Sequence, residues 1–221
     1  PLTSFRGITY HARGAGYCHS DKYIIGFSQL NTEYNSYMNP IIMPVVGRLY
    51  TASGDADDTV GYRVEKDSAT EIAKPYYYTV QLKNGVKAEI TTTKHVGFYR
   101  YTFPKSVKSK ILLDLAATHK HSKITDAWLK VVDNNTVEGY QKLDLPQSFN
   151  YYGNNVYFVA KFDKPYRCFA LWNDKQIYQT DWALRQVEKS GGVSKLGMFG
   201  DYCTSEGEQI QVKIAISPIS I

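Results

Sequence analysis

EIAKPYYYTVQLKNGVKAEITTTKHVGFYRYTFP, from Glu71 to Pro104, sets the architecture expected of this chain. It reads as three strands in a row. Tyr76, Tyr78, Val80 and Leu82 alternate with Tyr77, Thr79 and Gln81, the two-residue period of a strand with one buried and one wet face. Asn84-Gly85 breaks the run, and charge decides the hairpin register. A two-residue turn would set Leu82 opposite Lys87 and Val80 opposite Glu89, placing charges on the apolar face. A three-residue loop, Lys83-Asn84-Gly85, with Gly85 left-handed in a bulge, instead pairs Leu82 with Val86, Val80 with Ala88 and Tyr78 with Ile90. The second register is expected. Gly97 then interrupts the apolar run Val96 to Phe103, as a bulge or close backbone approach does, and Pro104 ends it.

The same period recurs along the chain. Phe5, Ile8 and Tyr10 are spaced as a weak strand, Tyr23 to Phe27 as a short one, and Tyr62, Val64 and Glu65 begin another. Ile41 to Tyr50 is apolar, and Ile111 to Leu115 is a continuous apolar run of the kind buried on both faces. Trp128, Lys130 and Val132 oppose Leu129 and Val131 before the turn Asp133-Asn134-Asn135. Val156 to Phe162 and Tyr166 to Trp172 follow, and Ile210, Val212, Ile214 and Ile216 alternate with Gln209, Gln211 and Lys213. No segment holds a period of about 3.6 residues over three turns, so few or no helices are expected. Short strands with turns every roughly 8 to 12 residues make the class all-β, a two-sheet antiparallel β-sandwich.

The 221 residues suffice for a substantial core and are expected to form a single domain over 1–221. Hydrophobic residues at 43% and charged residues at 21% exclude a disordered chain. The 19 Tyr suit half-buried strands and also sugar-stacking surfaces. The net charge of +5 comes from scattered lysines, read as solvated edges and turns, so a nucleic-acid partner is not expected. No apolar run reaches the ~18 residues of a membrane span. Cys18, Cys168 and Cys203 have no metal-ligand spacing and are read as three buried thiols, with one disulfide as the alternative.

Self-contained catalysis needs a nucleophile with its base, opposed carboxylates, or a metal with an open position, and no such motif is present. His119 and His121 share a strand face, but two imidazoles do not complete a zinc site. His11, His19 and His95 show no partner in the sequence, and His95, at the start of a strand, is read as structural. Asp55, Asp57 and Asp58 crowd a turn without the roughly twelve-residue spacing of a calcium loop, and a solvated turn is the better reading. The polar loop Ser28 to Pro40 is the best candidate surface.

Four blocks, the opening stretch with GYCHSDKYIIGF from Gly16, VYFVAKFDKPY from Val156 and GEQIQVKIAISPISI from Gly207, together resemble the N-terminal β-sandwich domain of the family 92 glycoside hydrolases, calcium-dependent α-mannosidases. The resemblance covers nearly the whole chain in the family's order. It implies a supersandwich-like fold and a secreted, periplasmic or cell-surface protein. It further implies a natural polypeptide continuing beyond Ile221 into a helical-barrel catalytic domain of the same chain, which acts on mannose-containing glycans. In that family an inverting single displacement uses one carboxylic acid and one basic carboxylate on the barrel, where calcium is also bound. The catalytic residues in this segment are therefore expected to be none, and the cofactors none. The resemblance implies that the loop after Gly26-Phe27 reaches toward the sugar pocket. Where the family carries His and then Ser, Gly, Asp or Trp, this chain carries Gln29, Asn31, Glu33, Tyr34, Asn35 and Tyr37. Amide and carboxylate side chains there can bond sugar hydroxyls while a tyrosine stacks on the pyranose. Tyr17, His19 and Asp21 fall on the family's Tyr-x-x-x-Asp pattern, which either frames the pocket or caps the strand. Two other readings stand beside this one: a free-standing carbohydrate-binding module, and a structural or protein-interaction domain.

Overall fold

The computed structural model describes residues 7–8, 18–28, 40–54, 60–116, 123–144, 155–174, 176–187, 193 and 195–221. Its strands are β1 (Gly7–Ile8), β2 (Tyr23–Ile24), β3 (Gly26–Phe27), β4 (Ile41–Val46), β5 (Val64–Lys74), β6 (Tyr77–Leu82), β7 (Lys87–Thr92), β8 (Val96–Phe103), β9 (Ser106–Asp114), β10 (Lys123–Asp133), β11 (Thr136–Asp144), β12 (Asn155–Phe162), β13 (Cys168–Asn173), β14 (Ile177–Tyr178), β15 (Ala183–Val187), β16 (Leu196–Thr204) and β17 (Glu208–Ser217). No helix occurs among the described residues. The strands form two antiparallel sheets, one ordered β1-β3-β4-β9-β16-β13-β14, the other β15-β10-β11-β12-β17-β8-β7-β6-β5-β2. The all-β sandwich follows.

The alternating residues of the larger sheet supply one wall of the core. Tyr78, Val80 and Leu82 from β6, Tyr99, Tyr101 and Phe103 from β8, and Ile210, Val212 and Ile214 from β17 are all buried. Phe27 enters from the smaller sheet and meets the Tyr78 ring at 6.4 Å and the Tyr101 ring at 6.0 Å. Each such large apolar side chain contributes about 1.5–3 kcal/mol through burial. In the smaller sheet Ile111, Leu112, Leu113 and Leu115 are buried on both faces, as their continuous run implies. Leu112 and Asp114 share a face with Lys110, and that face is met by the segment before β5, where the buried Tyr62 hydroxyl donates to Asp114 Oδ2 at 2.7 Å. Burial first, and then the Asp114 charge, pushes the Tyr62 phenol well above its ordinary pKa.

The hairpin takes the register that keeps charges off the core. Tyr78 pairs with Ile90 and Val80 with Ala88, and Leu82 N–H donates to the Val86 carbonyl at 2.8 Å. Gly85 has φ +90° and its N–H closes the loop onto the Leu82 carbonyl at 3.0 Å.

Several expectations need correction. The opening stretch holds the end of β5 as well as three further strands, and Tyr76 belongs to the turn between β5 and β6, 71% exposed with φ +65°. Gly97 makes no bulge, because it pairs with Thr92 on one side and Ile214 on the other in an unbroken β8. Tyr23 to Phe27 is two strands: β2 pairs with β5 in the larger sheet, and β3 pairs with β1 and β4 in the smaller one. Cys168 and Cys203 are exposed free thiols and Cys18 is half-buried, so the three do not behave as core residues. Nor are all the lysines solvated. The Lys66 side chain is fully buried, and Lys110 is nearly so against Asp201.

Candidate functional site

The candidate surface starts where the chain changes sheets. Within five residues it runs along β5 as β2, turns at the buried Ile25 and joins β4 as β3. Gly26 makes this crossing possible, since a Cβ there would lie 1.8 Å from Ile41 Cγ2. Phe27 then pairs with Ile42, and Ser28 leads toward the loop with its hydroxyl buried and bonded to no described residue. Upstream, the Asp21 N–H donates to the Cys18 carbonyl at 3.1 Å and closes a tight turn. The following residues are clamped to β5, with Lys66 N–H on the Lys22 carbonyl at 3.0 Å and the Arg63 guanidinium 4.5 Å from the Tyr23 ring centroid.

Beside this turn β5 carries a wide bulge. Asp67 pairs with Gln81 and Ile72 with Thr79, so four residues, Ser68 to Glu71, stand where the partner strand has only Val80. The bulge is pinned from within. Asp67 Oδ1 accepts the Ala69 N–H at 3.2 Å, while Thr70 Oγ1 donates to the Asp67 carbonyl at 2.7 Å and accepts the Gln81 N–H at 2.9 Å. This loop turns the Glu71 carboxylate inward. Its Oε1 accepts the Tyr78 hydroxyl at 2.5 Å, and its Oε2 lies 2.8 Å from Lys66 Nζ and 2.9 Å from His19 Nδ1. His19 thus has a partner 52 positions away, which no local pattern announces.

Of the residues expected at the site, His19 and Asp21 lie together in the Cys18 to Lys22 turn, with Asp21 half-buried. Tyr17, Gln29, Asn31, Glu33, Tyr34, Asn35 and Tyr37 lie outside the described residues, as do His11, His119, His121, Asp55, Asp57 and Asp58. The described ends of the Asp-bearing turn are held together, with Tyr62 N–H on the Ala52 carbonyl at 2.9 Å and Arg63 N–H on that of Ser53 at 3.0 Å. His95 is exposed, and its carbonyl accepts the Ile216 N–H at 3.0 Å.

Elsewhere several of the described carboxylates are tied up in ion pairs. Bidentate hydrogen bonding from Arg100, with further help from Tyr77 and Lys87, overcomes burial and holds Glu89 at a pKa of about 2. Burial opposes ionisation of Asp126, but hydrogen bonds from Arg185 and Tyr140 outweigh it and lower its pKa. Glu208 is lowered by Lys164, 2.6 Å away, and by the Ser205 N–H. A general acid needs the opposite shift. Among the described residues no three His, Cys, Asp or Glu converge as metal ligands.

The family model of the glycosyl hydrolase family 92 N-terminal domain matches residues 3–217. The chain belongs to glycosyl hydrolase family 92. Among solved structures, this family 92 domain is similar to the α-mannosidase BT3965 of Bacteroides thetaiotaomicron, with 26% identity and a TM-score of 0.81 over 96% of this chain and 29% of that one. The same enzyme in complex with mannoimidazole matches at 24% identity and a TM-score of 0.81, over 96% of this chain and 28% of that one. The inverting mannosidase BT2199 of the same organism shares the fold at 18% identity and a TM-score of 0.75, over 97% of this chain and 28% of that one. The family 92 domain therefore spans less than a third of the mannosidases it matches. No curated protein matches it.

Proposed function

We propose that this family 92 N-terminal domain is the supporting half of an inverting, calcium-dependent α-mannosidase. In this reading residues 1–221 are one domain, and one face packs on a helical-barrel catalytic domain of the same polypeptide. The acid, the base and the calcium ligands belong to that barrel. Tyr17, Asp21, Gln29, Asn31, Glu33, Tyr34 and Asn35 border the sugar pocket from the side, and the parent is a secreted, periplasmic or cell-surface protein acting on mannose-containing glycans.

The observation that carries this reading is the match to BT3965, in which 96% of this chain corresponds to only 29% of an α-mannosidase. The ion pairing of Glu89, Asp126 and Glu208 agrees with it, since these carboxylates are held charged and away from acid–base work. What the chain itself contributes is binding and orientation. Hydroxyl and amide groups along 17–37 bond the sugar, and the sandwich fixes where that segment stands against the barrel.

The test compares the full-length enzyme with the 221-residue chain. The full-length protein is expected to release mannose from an α-mannoside, to give the β-anomer first by NMR and to lose activity in EDTA. The 221-residue chain alone is expected to release none. Mannoside hydrolysis by that chain overturns the proposal. Widespread amide shifts on titrating the chain alone with mannobiose would favour the carbohydrate-binding module instead.

A further inference from the structure

The two sheets differ in what they turn away from the core. On the smaller sheet the outward side chains of Ile41, Met43, Leu112, Ala170 and Trp172 are at most 1% exposed, so that face is already buried within the chain. The larger sheet keeps its outward face open. Strand pairing sets Arg185, Trp128, Tyr140, Tyr157 and Ser217 side by side across β15, β10, β11, β12 and β17, and none of the five is buried.

This row is ordered before any partner arrives. The Trp128 ring meets Tyr140 edge-on with centroids 6.1 Å apart, and Tyr140 stacks on Tyr157 at 5.5 Å. The Tyr140 hydroxyl donates to Asp126, which Arg185 grips through Nε at 3.1 Å and Nη2 at 2.8 Å. Half-exposed Trp, Tyr and Arg are the side chains that protein interfaces concentrate at their centres. Because Tyr140 and Tyr157 cover one another's faces, the row offers a pyranose little flat surface, which favours a protein partner over a sugar.

Charge on the same face is one-sided. Asp126 is matched by Arg185 and Glu138 by Lys130, but the exposed Lys142, Lys161 and Lys213 make no ion pair among the described residues. Lys161 stands directly opposite Lys213. Like charges in register work against the sheet that carries them, and they suit an acidic surface laid over it.

Position names the partner. The match to the family's N-terminal domain runs to residue 217, and Ser217 closes the row by pairing with Tyr157. The matched part of BT3965 is only 29% of that chain, so the remainder of such an enzyme departs from the sandwich beside this face. We infer that the outward face of β10, β11, β12, β15 and β17, centred on Trp128, Tyr140 and Tyr157, is where the catalytic domain of the same polypeptide docks, setting an acidic patch against Lys142, Lys161 and Lys213. The inference rests on the proposed reading of this chain as the supporting half of a longer enzyme, and it says which face gives the support.

Hydroxyl-radical footprinting of the full-length enzyme and of the 221-residue chain, read by mass spectrometry, tests it. Trp128, Tyr140 and Tyr157 are expected to react about fivefold more slowly in the full-length enzyme, while Tyr76, 71% exposed in the β5–β6 turn, changes less than about twofold. Equal reactivity of the row in the two proteins overturns the inference. Combining Lys161→Glu with Lys213→Glu is expected to remove about half of the protection in the full-length enzyme and to leave the Tm of the 221-residue chain within about 2 °C. Full protection in that variant overturns the acidic counterpart. A row shielded by mannobiose in the 221-residue chain but open in the full-length enzyme would be a sugar platform, and it overturns the docking as well. A protected row in a full-length enzyme that does not act on α-mannosides upholds the docking and removes the proposed activity instead.

Discussion

A methyl group at position 26 would stand 1.8 Å from Ile41 Cγ2, and Ile41 is wholly buried. Neither side can yield without moving the start of β4, so overpacking of about 2–3 kcal/mol is expected for Gly26→Ala. For a chain of this size that corresponds to a Tm lower by roughly 5–10 °C, and a Tm within about 2 °C of wild type would show that the crossing tolerates a side chain. Glu89 yields a second residue-scale prediction. Its folded pKa, about 2, lies below the ordinary glutamate value, so its contribution is present above that value and is lost as the pH falls toward 2. Arg100 is 40% exposed, which screens the pair, and about 2 kcal/mol is expected. Urea midpoints of wild type and Glu89→Gln should therefore differ at neutral pH and converge between about pH 5 and pH 2; a gap independent of pH would remove the ion pair as its cause. The sequence shows Gly26-Phe27 as a strand end, but the reason for the glycine is Ile41, which comes 15 positions later.

The β6–β7 hairpin is the element whose geometry was legible in advance, because one face is buried and a slip of one residue would drive Lys87 and Glu89 into the core. Gly85 makes it testable. Its φ of +90° penalises any side chain by about 1 kcal/mol, and a Cβ would also touch Pro104 Cγ at 3.0 Å. Gly207, with φ +73° and nothing within 4 Å, carries the backbone penalty alone. Gly85→Ala is therefore expected to destabilise by about 1–2 kcal/mol, more than Gly207→Ala, and equal losses in denaturant unfolding would show that Pro104 moves aside freely. Other elements were hidden for identifiable reasons. Gly97 resembles a bulge because glycine is uncommon inside strands, yet both neighbouring strands pair across it. Tyr76 has the spacing of β6 but falls in a turn that requires positive φ. The β5 bulge leaves no periodic trace, since it is defined by what β6 fails to match.

At the scale of the molecule the sandwich itself was legible, because alternation along each long strand specifies which face is buried, and those buried faces form one continuous apolar cluster between the sheets. The candidate site was legible only as a segment. His19 and Asp21 share a turn as their spacing suggests, but the Glu71–Lys66–Tyr78 cluster that holds His19 is assembled by pairing between strands. The same assembly bears on calcium. A calcium ion takes about six to eight oxygen ligands, and any carboxylate among them must be free to turn toward it. Here Glu89 is engaged by Arg100, Asp126 by Arg185, Asp201 by Arg167 and Lys110, Glu208 by Lys164 and Glu71 by Lys66. Calcium at any of these five described carboxylates would have to break such a pair before binding. If the ion belongs to the barrel, thermal unfolding of the 221-residue chain should be the same in millimolar calcium and in EDTA to within about 1 °C, while the full-length enzyme should melt higher in calcium. A site in this chain filled at a hundredfold excess over its Kd would add about 2.7 kcal/mol and raise Tm by about 5 °C or more. A rise of that size in the chain alone would put a calcium site within the sandwich and refute the assignment of the metal to its partner.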